Sequence, residues 1–357
     1  MTVANQSVGV SLQNITKKFG DTIAVQKINL EFAPGTLTTV LGPSGCGKTT
    51  ILRIIGGLEI PTSGKILFGD EDVSHLSATN RDVGMVFQSY ALFPHMNVGQ
   101  NIGYGLKIKG TPQNEIKERV ADVLKTVGLS GYESRYADEM SGGQQQRVAV
   151  ARSLILEPKV LLFDEPLSNI DSKLRRSMRE DIRKLQQETG ITSIYVTHDQ
   201  SEALAVSDDV IVMNVGKIEQ MGGPEQLYRH PKNAFVATFI GDANILEGEL
   251  IQVDGRNDIQ LGEMTISAET VPDNAHVGKV QVAIRPEVVT MHADKGTNRM
   301  EGKVNWRSFV GSAFEYTIET SAGELFIVVT STGDQFETGD TIYISVNNIG
   351  VAVLEPS

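Results

Sequence analysis

Apolar residues recur along this chain in two distinct patterns, and the change from one to the other marks a change of architecture. As far as about residue 238, continuous apolar runs alternate with amphipathic ones. "TLTTVLG" (36–42), "VLLFD" (160–164), "SIYVTH" (193–198) and "DVIVMN" (209–214) are short and β-branched, the pattern of strands buried on both faces. Between them, "DSKLRRSMREDIRKLQQETG" carries Leu174, Met178, Ile182 and Leu185 along one helical stripe, with Asp171 placed to cap the helix and Gly190 to stop it. "PQNEIKERVADVLKTVGL" repeats the theme through Ile116, Val120, Leu124 and Val127. Strands alternating with helices predict an α/β fold built on a mostly parallel sheet.

Beyond about residue 240 the helical period disappears. "KVQVAIR" (279–285), "FEYTIET" (314–320), "ELFIVVT" (324–330) and "TIYISVN" (341–347) are β-branched and aromatic, and Gly, Asp and Asn separate them at short intervals. That texture predicts a small all-β barrel or sandwich, with Trp306 and the aromatics after it in its core. The expected organisation is an α/β domain over 1–238 and a β-rich domain over 239–357, joined within "FIGDANILEGEL" (239–250).

Composition narrows the class only a little. The chain has 357 residues, 40% hydrophobic and 21% charged, and a net charge of −12, which argues against broad nucleic-acid binding. No apolar run reaches the length of a membrane span, and "MTVANQSVGVSLQNITKKFG" has no basic leader before an apolar core, so a cytoplasmic protein is expected. Cys46 is the sole cysteine, which excludes an intrachain disulfide and fits a reducing compartment.

The chemistry starts at Gly42-Pro43-Ser44-Gly45-Cys46-Gly47-Lys48-Thr49, a complete G-x-x-x-x-G-K-[ST] phosphate loop after a strand and before a helix. Its glycines let backbone N–H groups converge on phosphate oxygens, and the helix N-terminus favours negative charge. Lys48 is expected to reach the β- and γ-phosphates and Thr49 to ligate Mg²⁺, with Thr50 continuing the nucleotide-binding run and Cys46 filling the loop. This motif alone does not separate kinase, GTPase, helicase and transport ATPase. "KVLLFDEP" (159–166) adds Asp164, aimed at the metal, and Glu165, placed to polarise an attacking water. No N-K-x-D guanine-reading motif occurs, which leaves ATP as the expected nucleotide.

A second glycine-rich turn, "EMSGGQQQRVAVARS" (139–153), has no lysine to meet a phosphate. With it, the chain resembles the nucleotide-binding subunits of the ATP-binding-cassette (ABC) superfamily: an α/β P-loop cassette with a RecA-like core and a helical subdomain, here about 90–155. "MSGGQQQRVAVAR" matches the family signature, with Met140 where leucine is usual. Gln88 in "MVFQSYALFPHMNV" matches the Q-loop, Ser168-Asn169-Ile170-Asp171 the D-loop, His198 in "YVTHDQSEA" the switch histidine, and Phe19 in "KKFGD" the adenine-stacking aromatic. The resemblance implies a head-to-tail homodimer in which each ATP lies between Lys48 of one chain and Ser141, Gly142, Gly143 and Gln144 of the other. It further implies Glu165, His198 and Gln88 as catalytic residues, Thr49, Gln88 and Asp164 around Mg²⁺, and Asp171 as a contact across the dimer.

"GGPEQLYRHPKNAFVATFIGDANILEGEL" (222–250) followed by "VAIRPEVV" (282–289) resembles the C-terminal extension of bacterial ABC importers, an oligonucleotide-binding-like barrel of the TOBE type that serves dimer contacts or regulation. The resemblance therefore implies an ATPase motor on the inner face of the inner membrane, bound to permease subunits and served indirectly by a solute-binding protein. Tyr90, Leu92, Phe93 and Met96 are expected to line a groove for a short permease helix. The length and the "YALFPHMNV" and "FIGDAN" segments look most like the ferric-iron and polyamine importers. A soluble cassette protein of translation or DNA repair is the alternative. Such proteins usually carry two cassettes or a long inserted coiled coil, and this chain carries neither.

Overall fold

The computed structural model describes residues 7–168, 170–253 and 256–355. The first six residues, on which the expectation of no leader partly rests, and Asn169 of the D-loop lie outside this range. The chain divides into two compact units, 1–224 and 225–357.

The first unit carries two sheets. One is antiparallel, in the order β2-β1-β4-β5, from β1 (Val10–Phe19), β2 (Thr22–Phe32), β4 (Ser63–Phe68) and β5 (Glu71–Asp72). The other has the order β10-β9-β3-β8-β7-β6, from β3 (Leu37–Leu41), β6 (Val83–Val86), β7 (Val160–Asp164), β8 (Thr192–Thr197), β9 (Asp209–Asn214) and β10 (Lys217–Gly222). Strands β9, β3, β8, β7 and β6 are parallel and β10 is antiparallel to β9. Every residue of β3 and β8 is buried, as their unbroken apolar runs require.

Helices α1 (Lys48–Ile55), α5 (Ser172–Thr189) and α6 (Gln200–Val206) belong to the sheet layers, and α2 (Val98–Ile108), α3 (Gln113–Thr126) and α4 (Gly142–Leu154) form the helical layer. Asp171 caps α5 by accepting from the Leu174 N–H at 2.9 Å, and Gly190 ends it in the left-handed conformation at φ 62. Ile116, Val120, Leu124 and Val127 are buried in one cluster with Ile102, Val148 and Met178.

Helix α7 (Pro224–Arg229) opens at the division between the units, and α8 (Ala234–Phe239) follows. Sequence texture places both with the cassette, but the fold places α8 and all of α7 beyond Pro224 with the β-rich unit. The reason is Arg285, the arginine of the "IRPE" stretch. It is buried, and its guanidinium donates to the carbonyls of Ala237 at 2.8 Å, Asp242 at 2.9 Å and Tyr228 at 3.1 Å. Three carbonyls on one charged fork tie the segment to its own unit.

That unit packs two five-stranded sheets, β13-β12-β11-β14-β20 and β15-β19-β16-β17-β18. The first uses β11 (Asn244–Val253), β12 (Arg256–Leu261), β13 (Met264–Ser267), β14 (Gly278–Ile284) and β20 (Val351–Val353). The second uses β15 (Val289–His292), β16 (Met300–Phe309), β17 (Ala313–Thr320), β18 (Gly323–Thr330) and β19 (Thr341–Val346). Ile259, Val282, Tyr316, Ile318 and Ile344 contribute to one core between them. The expectation that Trp306 and the aromatics after it are core holds for Tyr316 and Phe336, which are buried, and fails for Trp306 and Phe309. Trp306 is 48% and Phe309 61% exposed, because a register break between Val304 and Trp306 turns the end of β16 outward. Among the described residues no helix is long and apolar enough to cross a membrane.

Candidate functional site: a phosphate loop on parallel strand ends

Because β6, β7, β8 and β3 are parallel, the loops after their C-terminal ends open on one edge of the sheet, where α/β folds place their ligands. The loop after β3 is shaped by close approach. A Cβ on Gly42 would stand 2.4 Å from the Met213 carbonyl oxygen, and one on Gly47, at φ 108, would stand 2.6 Å from that of Ala24. Only glycine fits either place. Helix α1 then starts with no capping side chain and no acidic residue in its first turn. The first-turn N–H groups, on Lys48, Thr49 and Thr50, are the positive end of the helix dipole and suit an anion. The Lys48 ammonium is buried and donates to the carbonyls of Gly42 at 2.7 Å and Pro43 at 2.9 Å, which holds it within the loop. Burial pushes the Cys46 thiol up, so it is an unreactive filler beside exposed Ser44 and Gly45.

At the end of β7, Asp164 faces the Thr49 side chain. Burial raises the Asp164 carboxyl above the ordinary range; Arg53 and Thr49 oppose this and Glu165 adds to it. Glu165 sits at φ 45, a conformation rare for a side-chain-bearing residue, yet its N–H still donates to the Val196 carbonyl at 3.0 Å. The chain turns here while remaining pinned to the neighbouring strand, and the Glu165 Oε2 lies 3.1 Å from Nδ1 of His198, the residue after β8. Strain of this kind is usually retained where it positions a group. Gln88 is exposed just past β6, on the same edge. Phe19 ends β1 with 49% of its surface exposed and the Lys17 ammonium 4.8 Å from its ring centroid.

The second glycine turn belongs to the helical layer. Ser141 caps α4 by accepting from the Gln144 N–H at 3.4 Å, and the Gln144 side chain accepts from the Ser141 N–H at 3.0 Å, closing a capping box. Gly143 lies against α5, where a Cβ would meet the Met178 sulfur at 2.7 Å; Gly142 faces open space. None of these contacts is to the phosphate loop.

Three residues that motif reading passes over connect the parts. Arg175 donates to the Ile170 carbonyl of the D-loop at 3.0 Å and to Asp199, next to His198, at 3.2 Å. Arg152 near the end of α4 donates to the carbonyls of Ala91 at 2.6 Å and Tyr90 at 2.9 Å, both left-handed residues after Gln88. Glu202, buried, accepts from Tyr195 at 2.9 Å and Thr197 at 2.8 Å beneath the His198 turn. In sequence these arginines look like others on the same helices, so no local signal marks them.

The aromatic groove expected after Gln88 needs one correction. Tyr90 is only 7% exposed and belongs to the core of the helical layer, and Leu92 packs against that core. A groove of about 780 Å³ does lie beside them, lined by Met96, Tyr104, Ile116 and Val120 among others. Phe93 packs on Tyr104 at 4.8 Å between centroids.

Comparison with known proteins agrees with this geometry. The ABC transporter family matches residues 25–168, and the TOBE domain family matches 282–354. The Fe(3+) ions import ATP-binding protein FbpC of Escherichia coli K12 is 48% identical over 97% of both chains, and that of Brucella abortus is 50% identical over the same share. Among solved structures, cbiO1 of Clostridium perfringens, part of the ABC transporter complex cbiONQ, is 31% identical with a TM-score of 0.58, covering 62% of this chain and 90% of that one. A dimeric post-hydrolysis state of the ATP-binding cassette MJ0796, bound to ADP and Pi, is 33% identical with a TM-score of 0.53, covering 60% of this chain and 98% of that one. A phosphate loop, a carboxylate pair, a histidine and a separately capped glycine turn, on a chain nearly half identical to such proteins throughout, place it in the ABC transporter family as an ATP-binding ATPase with a C-terminal TOBE domain.

Proposed function

We propose that this chain is the ATP-hydrolysing motor of a ferric-iron importer, working as a head-to-tail homodimer on the inner face of the membrane and docked to permease subunits. The observation that carries the reading is identity of 48–50% with Fe(3+) import ATP-binding proteins along 97% of both lengths, TOBE domain included.

In the mechanism, nucleotide phosphates lie on the N–H groups of Gly45 to Thr50 and draw the Lys48 ammonium off the Gly42 and Pro43 carbonyls. The Thr49 hydroxyl and Asp164 carboxylate face each other, and both are hard oxygen donors of the kind Mg²⁺ prefers. Among the described residues no cluster of three His, Cys, Asp or Glu could hold a metal unaided, which suits an ion that arrives with phosphate and water. Mg²⁺ bound there would offset phosphate charge, with Gln88 as a further ligand. Glu165 takes the proton from the attacking water. His198, 3.1 Å away, orients that carboxylate and faces the γ-phosphate. Phe19 stacks on adenine.

Ser141 to Gln144 serve the nucleotide of the second copy. Their capped helix end offers a hydroxyl and N–H groups to a γ-phosphate, and a solved relative is dimeric with ADP and Pi. Asp171 contacts the partner across that interface. Triphosphate holds the two chains closed through contacts that exist only in the closed state, and hydrolysis removes them.

Uptake in a deletion strain tests the solute. Radiolabelled ferric iron, putrescine, phosphonate, sulfate and maltose are measured with and without the chain; loss confined to ferric iron is expected, and unchanged iron uptake overturns the assignment. Mixing Ser141→Arg chains with Lys48→Ala chains tests the dimer. One working site should return, and a mixture as inert as its parents removes the head-to-tail arrangement.

A further inference from the structure

A cavity of about 130 Å³ opens between the helical layer and α5, apart from the phosphate loop. Its walls include Val127 after α3, Val150 on α4, and Met178, Ile182 and Leu185 on α5. Gln146, on α4, also lines it. Only 1% of Gln146 is exposed, and among the described residues neither its Oε1 nor its Nε2 has a hydrogen-bond partner. A buried amide left unpaired costs about 1–3 kcal/mol per group, so native proteins rarely keep one without a use.

The charged groups at the mouth are already paired. Arg147 bonds to Asp181 and to the Val127 carbonyl, and Lys184 lies 3.8 Å from Glu188. No ion is selected by such a rim. Arg147 and Asp181 keep about a third of their side chains exposed, so the cavity is reachable from solvent. The walls are mixed: beside those apolar side chains, Thr126, Arg147, Asp181, Lys184 and Glu188 supply the polar remainder. A body with both characters suits the space better than water alone, which wants two to four polar partners. The volume is close to that of cavities of about 150 Å³ that admit a benzene ring.

We propose that this cavity binds a small uncharged molecule made of an apolar ring or branched body and a carboxamide-like head. The head pairs with Gln146, accepting from Nε2 and donating to Oε1, while the body lies on Val127, Val150, Met178 and Ile182. The occupant also sets the spacing of two helices with distinct duties. Helix α4 begins at the Ser141 turn and α5 at Asp171, so a ligand wedged between them biases the signature turn against the D-loop. Binding itself is independent of which solute the transporter carries.

The test uses the full chain with ¹³C-methyl-labelled methionine, its Met178 signal assigned through Met178→Leu. Benzamide is titrated, with toluene as the same ring lacking the amide. A saturable shift of the Met178 methyl by benzamide is expected, with a Kd of about 0.1–10 mM for a ligand this small. Toluene should bind about tenfold more weakly, and Gln146→Leu should weaken benzamide about tenfold while leaving toluene unchanged or tighter. An unmoved Met178 methyl, equal binding of the two probes, or a Gln146→Leu chain that binds benzamide like wild type overturns the proposal. So does a crystal grown in benzamide with only ordered waters on Gln146. If Gln146→Leu does not fold, the wild-type ratio of benzamide to toluene decides.

Discussion

The two glycine-rich turns look alike in sequence, yet they solve the start of a helix in opposite ways. At Gly42–Lys48 crowding forces glycine at Gly42 and Gly47, and α1 begins with no side-chain cap. At Ser141–Gln144 the helix caps itself through a reciprocal box and Gly142 faces open space. A turn whose N–H groups are unfilled by its own side chains waits for an anion to complete it. A self-capped turn is stable alone, and under the proposed dimer it meets its phosphate as a second contact. Under the proposed dimer the contrast accounts for one chain carrying both: the first turn binds nucleotide, and the second meets nucleotide held by the partner.

The largest way to break this comparison lies in chemistry. Glu165→Gln should leave ATP bound while lowering hydrolysis about 10²–10⁴-fold, the usual loss for a general base; steady-state phosphate release measures it, and a near wild-type rate removes Glu165 from that role. Next come the turns themselves. Gly47→Ala places a side chain at φ 108 and 2.6 Å from the Ala24 oxygen. Urea unfolding should report a loss of about 1–3 kcal/mol, together with loss of nucleotide binding.

Within a single chain Ser141→Ala removes an N-cap, so about 1 kcal/mol of stability should go while single-chain nucleotide affinity holds. Equal damage to binding from both substitutions would erase the distinction between the turns.

The smallest effect concerns the frame beneath both. Asp208 accepts from Arg183 and from the Leu37 N–H, and the bond from Arg183 is the main cause of its carboxyl lying below the ordinary range. A carboxyl with a depressed folded pKa stabilises the fold above its unfolded value, about 3.9, and loses that contribution as pH falls through the folded value. Asp208→Asn should therefore cost about 1 kcal/mol or less at pH 7, the pair being partly exposed. The gap between wild type and variant should shrink toward zero below about pH 4; a gap that stays flat from pH 7 to 3 contradicts the ion pair.

How much was legible from sequence differs between the units for the same reason. The strands β3, β7 and β8 and the helix α5 are found where their apolar patterns put them, since burial on both faces or one stripe leaves a periodic trace. The α/β unit with its helical layer and the following β-rich unit match the expected fold class. Tyr90 and Trp306 went the other way. Each aromatic was assigned by its neighbours in sequence, whereas its burial depends on which element folds back over it: the helical layer covers Tyr90, and a register break exposes Trp306. Arg152 and Arg285 bond to backbone carbonyls far along the chain, which carry no letter in the sequence, and Arg175 bonds to the Ile170 carbonyl five residues back and to the Asp199 carboxylate.

Short stretches of sequence were enough for the order of the candidate groups: the phosphate loop, the Asp164–Glu165 pair, His198 and the Ser141–Gly143 turn. Those rest on local rules of backbone freedom, helix ends and strand burial, which short stretches express fully. Only the tertiary structure decided that Glu165 meets His198, that Arg175 ties the D-loop to Asp199, and that Gln146 is left unpaired beside an apolar cavity. These are pairings across neighbouring strands and layers, and they exist once the parallel sheet has brought distant strand ends to a common edge.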